Sequence, residues 1–195
     1  MKIKLKNIVN MSTGYQVRCK LNSDDNGTHK IIQMRNICTH SGVLSSEENE
    51  YDSVTPKNPE RYELKLNDII LMTRGNFNKA SIITKNNIGL IASGHFMILR
   101  IKENLNILPE YLHLFLNLKS TSKYFEHEAR GTGIKILSKI TVGELDIPIS
   151  AINIQKGIIN YHKIANNELE LLLKLAKKKK KLTDAVLSKM INNTN

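Results

Sequence analysis

The residues of this sequence that could perform chemistry are few and stand apart from one another. The six histidines are isolated, and none has the spacing to a second ligand that a metal site requires. Gly131-Thr132-Gly133 resembles the start of a phosphate-binding loop, but the residues from Ile134 onward continue neither glycine-rich pattern. The patterns HExxH, GxSxG and CxxC do not occur. We therefore predict a protein that is not an enzyme and that binds no metal and no cofactor.

The two cysteines, Cys19 and Cys38, also lack metal-ligand spacing, and no further pair is present to build a disulfide framework. They are typical of reduced thiols, which predicts a cytoplasmic location. The longest stretch without Asp, Glu, Lys or Arg, residues 86–99, is shorter than the ~20 apolar residues of a membrane span. The amino terminus lacks the apolar segment of a signal peptide. We therefore expect no membrane partner.

Positive charge is the first indication of a partner. The chain has 29 Lys and Arg against 18 Asp and Glu, and this net charge of +11 favours polyanionic partners such as nucleic acid. The excess is present on both sides of Ala165, so the chain is not a neutral domain with a basic tail. The consecutive lysines at residues 177–181 fit a solvated helix face, a contact with DNA phosphates or a contact with an acidic partner.

The elements that must hold these side chains form two parts. In the first part, short apolar runs separated by turns predict strands at residues 31–37, 64–66, 69–72, 80–84, 88–92 and 96–101. Pro109 and Glu110 then begin a helix with an apolar face, which residues 120–129 extend or repeat. Residues 41–59 are polar and acidic, and they predict an exposed loop. The pattern predicts an α+β (mixed α/β) fold with a mostly antiparallel or mixed sheet and flanking helices.

The second part has the seven-residue period of a coiled coil. Ile158, Ala165, Leu172 and Val186 lie at seven-residue steps, Leu175 and Leu182 occupy companion positions, and Lys179 interrupts the apolar seam. Residues 166–191 would form a helix about 39 Å long, which is more than a small domain alone covers. We therefore predict a domain at residues 1–152 and, at residues 153–195, a helix that requires a partner helix.

Several short motifs follow one another along the first part and continue into the helix. They are Leu66-Asn67-Asp68-Ile69-Ile70-Leu71-Met72-Thr73-Arg74-Gly75, the strand within residues 93–100, Pro109-Glu110-Tyr111-Leu112, Gly131-Thr132-Gly133-Ile134 with Leu137-Ser138, and Ile147-Pro148-Ile149 with Gln155. In this order they resemble the DNA specificity (S) subunits of Type I restriction–modification systems, with the long helix as the spacer helix. Asn67 stands where that family has Gly, a replacement that Asn allows where φ is positive.

The resemblance implies a half-sized specificity subunit, because family members usually carry two target-recognition domains and two spacer helices. It implies sequence-specific binding of double-stranded DNA by a non-catalytic chain. The target would be delivered to a methyltransferase (M) subunit that uses S-adenosylmethionine and modifies adenine, and whether a restriction (R) subunit also joins is left open. Two copies related by a two-fold axis would rebuild the usual arrangement and recognise an interrupted palindrome.

The resemblance also directs attention to side chains that could contact DNA. Arg, Gln and Asn can pair bidentately with guanine or adenine edges, whereas Lys and the amides near Gly131 and Gly133 suit phosphates. For Arg74, which directly follows a strand, a structural salt bridge is an equal alternative. The candidates are Arg18, Lys20, Lys30, Gln33, Arg35, Asn36, Arg74, Asn76, Asn78, Lys79, Arg130, Thr132 and Lys135. The predicted dimer and partner contacts are Leu169, Leu172, Leu175, Lys179, Leu182 and Val186.

Two other functions remain open. The chain could be an adaptor or anti-restriction protein that uses the helix and does not read DNA. A divergent nuclease is a third class, and the absence of an acidic metal-binding cluster in the sequence argues against it.

Overall fold

The computed structural model describes residues 2–17, 27–38, 42–44, 51–75, 78–129 and 135–192. The chain separates into two units, Met1–Gln155 and Lys156–Asn195. The strands are β1 (Lys2–Lys4), β2 (Val9–Thr13), β3 (His29–Ile32), β4 (Asp52–Val54), β5 (Ile69–Met72), β6 (Ala80–Ile82), β7 (Ile91–Ala92), β8 (Phe96–Ile101) and β9 (Asp146–Pro148). The helices are α1 (Leu5–Ile8), α2 (Pro109–Leu116), α3 (Lys119–Glu128), α4 (Lys139–Gly143) and α5 (Ile152–Asn192).

Three sheets organise the first unit. A four-stranded antiparallel sheet has the order β2-β8-β5-β6, and a three-stranded sheet has the order β4-β3-β7, in which β3 and β7 are parallel. The third sheet pairs β1 with β9, so Pro148 occupies a two-stranded sheet, where a missing backbone N–H is tolerated. The α+β fold that the sequence predicts, with mixed and antiparallel sheets and a long C-terminal helix, is confirmed.

The core explains why β5 is a continuous apolar run rather than an alternating one. All four of its residues are buried, because β5 lies between β8 and β6 and is covered on both faces. One apolar cluster joins the two larger sheets, and its buried members are Ile32, Ile37, Tyr51, Leu64, Ile70, Met72, Ile83, Ala92, Phe96 and Ile98.

The Leu66–Gly75 motif begins with a turn that is locked by a buried carboxylate. Asn67 has a φ of 68°, which fits the expected replacement of glycine at that position. Asp68 is 1% exposed and accepts two hydrogen bonds from Arg100, at 2.7 and 2.6 Å, and one from the Lys65 amide at 2.8 Å. The hydrogen bond to Asp68 raises the pKa of Arg100 above its usual value. This motif therefore fixes β5 to β8.

The later motifs also interlock. Pro109 begins α2 at the first helical position, and the Tyr111 hydroxyl donates to the Pro148 carbonyl at 2.8 Å. Gln155 is completely buried. Its side chain accepts from the Leu108 amide at 2.9 Å and donates to the Asn106 and Ser150 carbonyls at 2.9 and 2.8 Å. These motif residues therefore hold the first unit together and do not face a ligand.

Three predicted elements differ in the structure. The strand predicted at residues 31–37 ends at Ile32, because the Gln33 amide donates to the Asn36 side chain and a 3₁₀ turn follows at Met34–Asn36. The loop predicted at residues 41–59 contains β4, whose Val54 is buried against Ile31 and Ile91. The strand predicted at residues 64–66 does not form, because the chain turns at residues 66–67 before β5 begins. The helix predicted at residues 153–195 is present as α5, which has 41 residues and is about 61 Å long at the usual rise.

Candidate nucleic-acid interface

The sequence-predicted DNA contacts divide into those that the structure describes and those that it does not. Arg18, Lys20, Asn76, Arg130 and Thr132 lie outside the described residues. The remaining candidates follow two strands of the first unit. Those on or after β3 are Lys30, Gln33, Arg35 and Asn36, and those after β5 or paired with its end are Arg74, Asn78, Lys79 and Lys135.

Asp52 on β4 connects two of the candidates that follow β3. Its carboxylate accepts a hydrogen bond from the Gln33 side-chain amide and forms an ion pair with Arg35 at 2.6 Å. The Asp52 side chain is 16% exposed and that of Arg35 is 59% exposed. A guanidinium has five N–H donors, so Arg35 keeps donors for a further partner while Asp52 fixes its orientation. The Lys30 ammonium donates to the Ser53 hydroxyl at 3.0 Å.

Two asparagine candidates are turned inward. Asn36 is 3% exposed, and its side-chain oxygen accepts from the Gln33 amide at 2.7 Å. Asn78 is 8% exposed, and its side-chain amide donates to the Met72 carbonyl at 3.1 Å. Both side chains therefore support the backbone of the segments that carry Arg35 and Lys79.

The segment after β5 pairs with the segment that contains Lys135. Arg74 and Ile136 form an antiparallel bridge, the Leu137 amide donates to the Thr73 carbonyl at 2.9 Å, and the Gly75 amide donates to the Lys135 carbonyl at 3.3 Å. The structure thus brings together two segments that are 60 residues apart in sequence. Arg74 forms no ion pair with any carboxylate in the described part of the chain.

His95 belongs to the same place and was not among the sequence candidates. Its carbonyl accepts from the amide and the hydroxyl of Thr73, at 2.9 and 3.0 Å. Burial lowers the pKa of His95 and the charge of Arg74 lowers it further, so the imidazole is neutral at neutral pH. A neutral imidazole offers one donor and one acceptor. No local pattern identifies His95, since only the pairing of β5 with β8 places it beside Arg74.

The ends of β3, β7 and β5 lie together. The Ser93 amide, just after β7, donates to the Ile32 carbonyl at the end of β3 at 2.9 Å. A Cβ added to Gly75 would lie 3.0 Å from the Met34 side chain, which places the turn after β3 beside the end of β5. We call the polar side chains at this place the basic edge. Its members are Gln33, Arg35, Arg74, His95 and Lys135.

The second unit presents a different surface. The predicted contact residues of α5 are exposed, with 55% of Leu172, 62% of Leu175, 64% of Leu182 and 47% of Val186 accessible. Leu169 and Lys179 are exposed as well. Residues 177–181 add five exposed lysines to the same helix.

The described residues offer neither a metal site nor a membrane span. No group of three or more His, Cys, Asp or Glu side chains there could hold a metal ion. No helix in those parts of the chain is both long and apolar enough to cross a membrane.

Comparison with known proteins gives one family and several related folds. The family model of the Type I restriction modification DNA specificity domain matches residues 1–183. A comparison with curated proteins gives no match.

Among solved structures, the chain is similar to the S subunit of a Type I restriction-modification system from M. genitalium, with 19% identity and a TM-score of 0.60 over 94% of this chain. It is also similar to the HsdS subunit from Thermoanaerobacter tengcongensis, with 11% identity and a TM-score of 0.64 over 89% of this chain. A chain from a study of complex assembly and conformational transition of the type I R-M system gives 13% identity and a TM-score of 0.64 over 88% of this chain. The chain spans 43%, 39% and 39% of the lengths of these three chains.

Proposed function

The chain belongs to the family of Type I restriction modification DNA specificity domains, and on this basis we propose that it binds double-stranded DNA in a sequence-specific manner. The basic edge is the observation that carries the proposal beyond the family. Two arginines, a glutamine, a lysine and a neutral histidine lie on segments that come together where three strands end, on a chain with a net charge of +11. These side chains combine donors for base edges with positive charge for phosphates.

Within the basic edge, Arg35 is the strongest candidate for reading a base. Asp52 holds one side of its guanidinium, and an oriented guanidinium can bind O6 and N7 of a guanine together. Gln33, held by the same carboxylate, could pair with an adenine edge. Arg74 and the neighbouring Lys79 suit phosphates. Lys30 and Lys135 remain weaker phosphate candidates, because Lys30 donates to Ser53 and Lys135 donates to the Glu126 carbonyl. Arg18, Lys20, Asn76, Arg130 and Thr132 stay predictions.

The chain would act as the non-catalytic specificity component of a larger enzyme. Its target would be presented to a separate adenine methyltransferase subunit, which would bind S-adenosylmethionine, while this chain would bind no cofactor. The methyltransferase would dock on the exposed residues of α5 and the elements beside it, and a restriction subunit would join the same complex in systems that cleave DNA. We assign DNA recognition to residues 1–152, partner contact to residues 153–195, and the complex to the cytoplasm.

A homodimer would give this chain two recognition domains. Its α5 would pack antiparallel on a second α5 through Leu169, Leu172, Leu175, Leu182 and Val186, with Lys179 in the seam. A two-fold axis relates identical domains, so such a dimer would recognise two identical half-sites in opposite orientation. The proposed target is therefore an interrupted palindrome.

The test is to co-purify the chain with the methyltransferase encoded by a neighbouring reading frame and to map the methylated adenines on genomic DNA. An interrupted palindrome supports the full proposal. A continuous or asymmetric site contradicts the homodimer and indicates a second, different half-subunit. Complex formation without methylation at a defined sequence favours an adaptor or anti-restriction role, for which the exposed apolar residues of α5 are the supporting observation.

A further inference from the structure

The seam of α5 contains two charged residues of opposite sign. The seam positions follow Ile158 in alternating steps of three and four residues. They are 158, 161, 165, 168, 172, 175, 179, 182, 186 and 189. Between positions 161 and 186, all are apolar except Glu168 and Lys179, and Leu169 of the proposed dimer contact flanks the seam beside Glu168. Because α5 is one continuous helix from Ile152 to Asn192, both charges project along the same stripe as Leu172 and Leu175.

Neither charge is neutralised within its own helix. Glu168 and Lys179 are exposed, and neither side chain forms an ion pair with another side chain in the described part of the chain. By contrast, Glu170 on the outer face pairs with Lys174 one turn away, and this contact lowers the pKa of Glu170. A lone charge among exposed leucines weakens any helix packing that buries it, unless the partner supplies the opposite charge.

We infer that Glu168 pairs with Lys179 of a second copy, and that this pairing sets the register of an antiparallel α5 dimer. The inference rests on the proposed homodimer and adds its register. Two positions face each other across an antiparallel two-fold axis when they lie equally far from it on opposite sides. An axis between Leu173 and Lys174 places Glu168 opposite Lys179 and, by symmetry, Lys179 opposite Glu168.

The same axis matches the remaining seam positions. Leu172 faces Leu175 in the two central layers, Ala165 faces Leu182, and Tyr161 faces Val186, so every other layer between positions 161 and 186 is apolar. The outermost layer places Ile158 opposite Lys189, whose long side chain can reach solvent from the helix end.

Other arrangements of the same two helices leave the charges unmatched. A shift of one heptad in one direction puts Glu168 against Leu172 and Lys179 against Tyr161. The shift in the other direction puts Glu168 against Val186 and Lys179 against Leu175. A parallel pair in register puts like charges together in both layers. Charge complementarity therefore favours a second copy of this chain as the occupant of the α5 face, in one orientation and one register.

The first experiment exchanges the charges. Glu168→Lys and Lys179→Glu should each weaken self-association about ten-fold or more, since each replaces two opposite-charge layers by two like-charge layers. An equimolar mixture of the two variants should associate as strongly as the wild type, because every layer in the heterodimer is again complementary. The Glu168→Lys/Lys179→Glu double variant should also recover dimerisation. Sedimentation equilibrium gives these dissociation constants, and Lys177→Glu is the matched control outside the seam.

The second experiment reads the register directly. In a Cys19→Ser/Cys38→Ser background, Ala165→Cys and Leu182→Cys chains should form a disulfide-linked dimer when mixed and oxidised. Neither should link to itself, because residues 165 and 182 lie about 26 Å apart along the helix at the usual rise. Self-linking of Ala165→Cys would mean parallel helices and would overturn the inference.

The outcomes separate this inference from the proposed function. Single charge variants that dimerise like the wild type would contradict the pairing of Glu168 with Lys179, but they would not contradict the proposed homodimer. A monomeric wild-type chain would contradict the proposed homodimer, and the register with it. DNA specificity is judged independently, by the methylated sequence that the assembled complex produces.

Discussion

The two units of this chain differ in which side chains they bury and which they expose. In the first unit, polar residues such as Asp68 and Gln155 are buried and fully bonded, and no buried side-chain nitrogen or oxygen lacks a partner in the described residues. In the second unit, most of the apolar residues are exposed, and Ile159 is the buried one among the large hydrophobic residues described there. Thirteen large hydrophobic side chains are exposed there: Ile158, Tyr161, Ile164, Leu169, Leu171, Leu172, Leu173, Leu175, Leu182, Val186, Leu187, Met190 and Ile191.

This difference shows which interactions stabilise the structure of each unit. The first unit contains the partners of its own buried groups, so its fold depends on contacts within residues 1–155. The exposed stripe of the second unit covers much of the helix, and a helix of this length gains most of its stability from packing rather than from propensity. We therefore expect the order of α5 to depend on association, and the order of the first unit to be independent of it.

The largest expected effect is on association through α5. Replacing Leu172 and Leu175 by Asp places four charges in the two central layers of the proposed dimer, so the chain should become monomeric by light scattering. The thermal midpoint of the first unit, followed by tyrosine fluorescence, should stay the same. The control is Asn160→Asp/Asn167→Asp on the opposite side of the helix, which should remain dimeric. A double Leu variant that keeps the wild-type mass would show that the seam is elsewhere.

The comparison also explains what could be predicted from the sequence. Strands β5 and β8 and helix α2 were predicted well, because uninterrupted apolar runs and Pro109 are local signals. Strand β4 was missed, since Asp52 and Ser53 give it a polar sequence and only Val54 shows its contact with β3. The helix at residues 153–195 was predicted from its heptad signal, and α5 begins at Ile152.

In the candidate site, too, local features could be predicted from the sequence and contacts between distant segments could not. Arg35 and Arg74 could be named from residue type, but their surroundings depend on contacts between distant segments. Pairing of distant strands brings Asp52 beside Arg35 and His95 beside Arg74. No local sequence pattern indicates these contacts. Residue types therefore indicated which groups could bind DNA, and the topology decided which of their segments come together.

The next largest effect is on the unfolding free energy of the first unit, and it tests whether that unit is stabilised by its own buried polar contacts. Asp68→Ala removes the buried partner of Arg100 and the acceptor of the Lys65 amide, and we expect a loss of about 2–4 kcal/mol in unfolding free energy. Urea unfolding followed by tyrosine fluorescence measures it, as the chain has no Trp. The α5 dimer should persist in this variant below the unfolding transition. Glu60→Ala, at an exposed position, should leave the midpoint unchanged; an equal loss there would contradict a specific role for Asp68.

A smaller effect, on DNA affinity, is expected from changes to the exposed polar side chains of the first unit. Arg35→Ala should weaken DNA binding by about 1–3 kcal/mol and relax the base preference at one position of each half-site, because a bidentate contact is lost. Asp52→Ala should keep part of the affinity but lose selectivity, since the guanidinium remains without its orienting partner. Fluorescence anisotropy with the mapped site and single-base variants measures both. Arg61→Ala, another exposed arginine, is the control, and an equal loss there would argue for charge alone.

The smallest effect concerns the exposed ion pairs that join β1 and α1 to Glu144 and β9. Lys6 donates to Glu144 and Lys4 pairs with Asp146 at 3.0 Å, and the hydrogen bond from Lys6 lowers the pKa of Glu144 below its usual 4.5. A lowered pKa means that the folded state prefers the ionised carboxylate, so the stabilisation is present at neutral pH and is lost as the pH falls below 4.5 through the lowered pKa. Glu144→Gln should therefore reduce the thermal midpoint slightly at pH 7, less than either stability change above, because solvent screens exposed pairs. The difference from the wild type should shrink as the pH falls below 4.5 through the lowered pKa. Glu103→Gln is the exposed control, and a difference that persists in acid would show that Glu144 acts through packing rather than through charge.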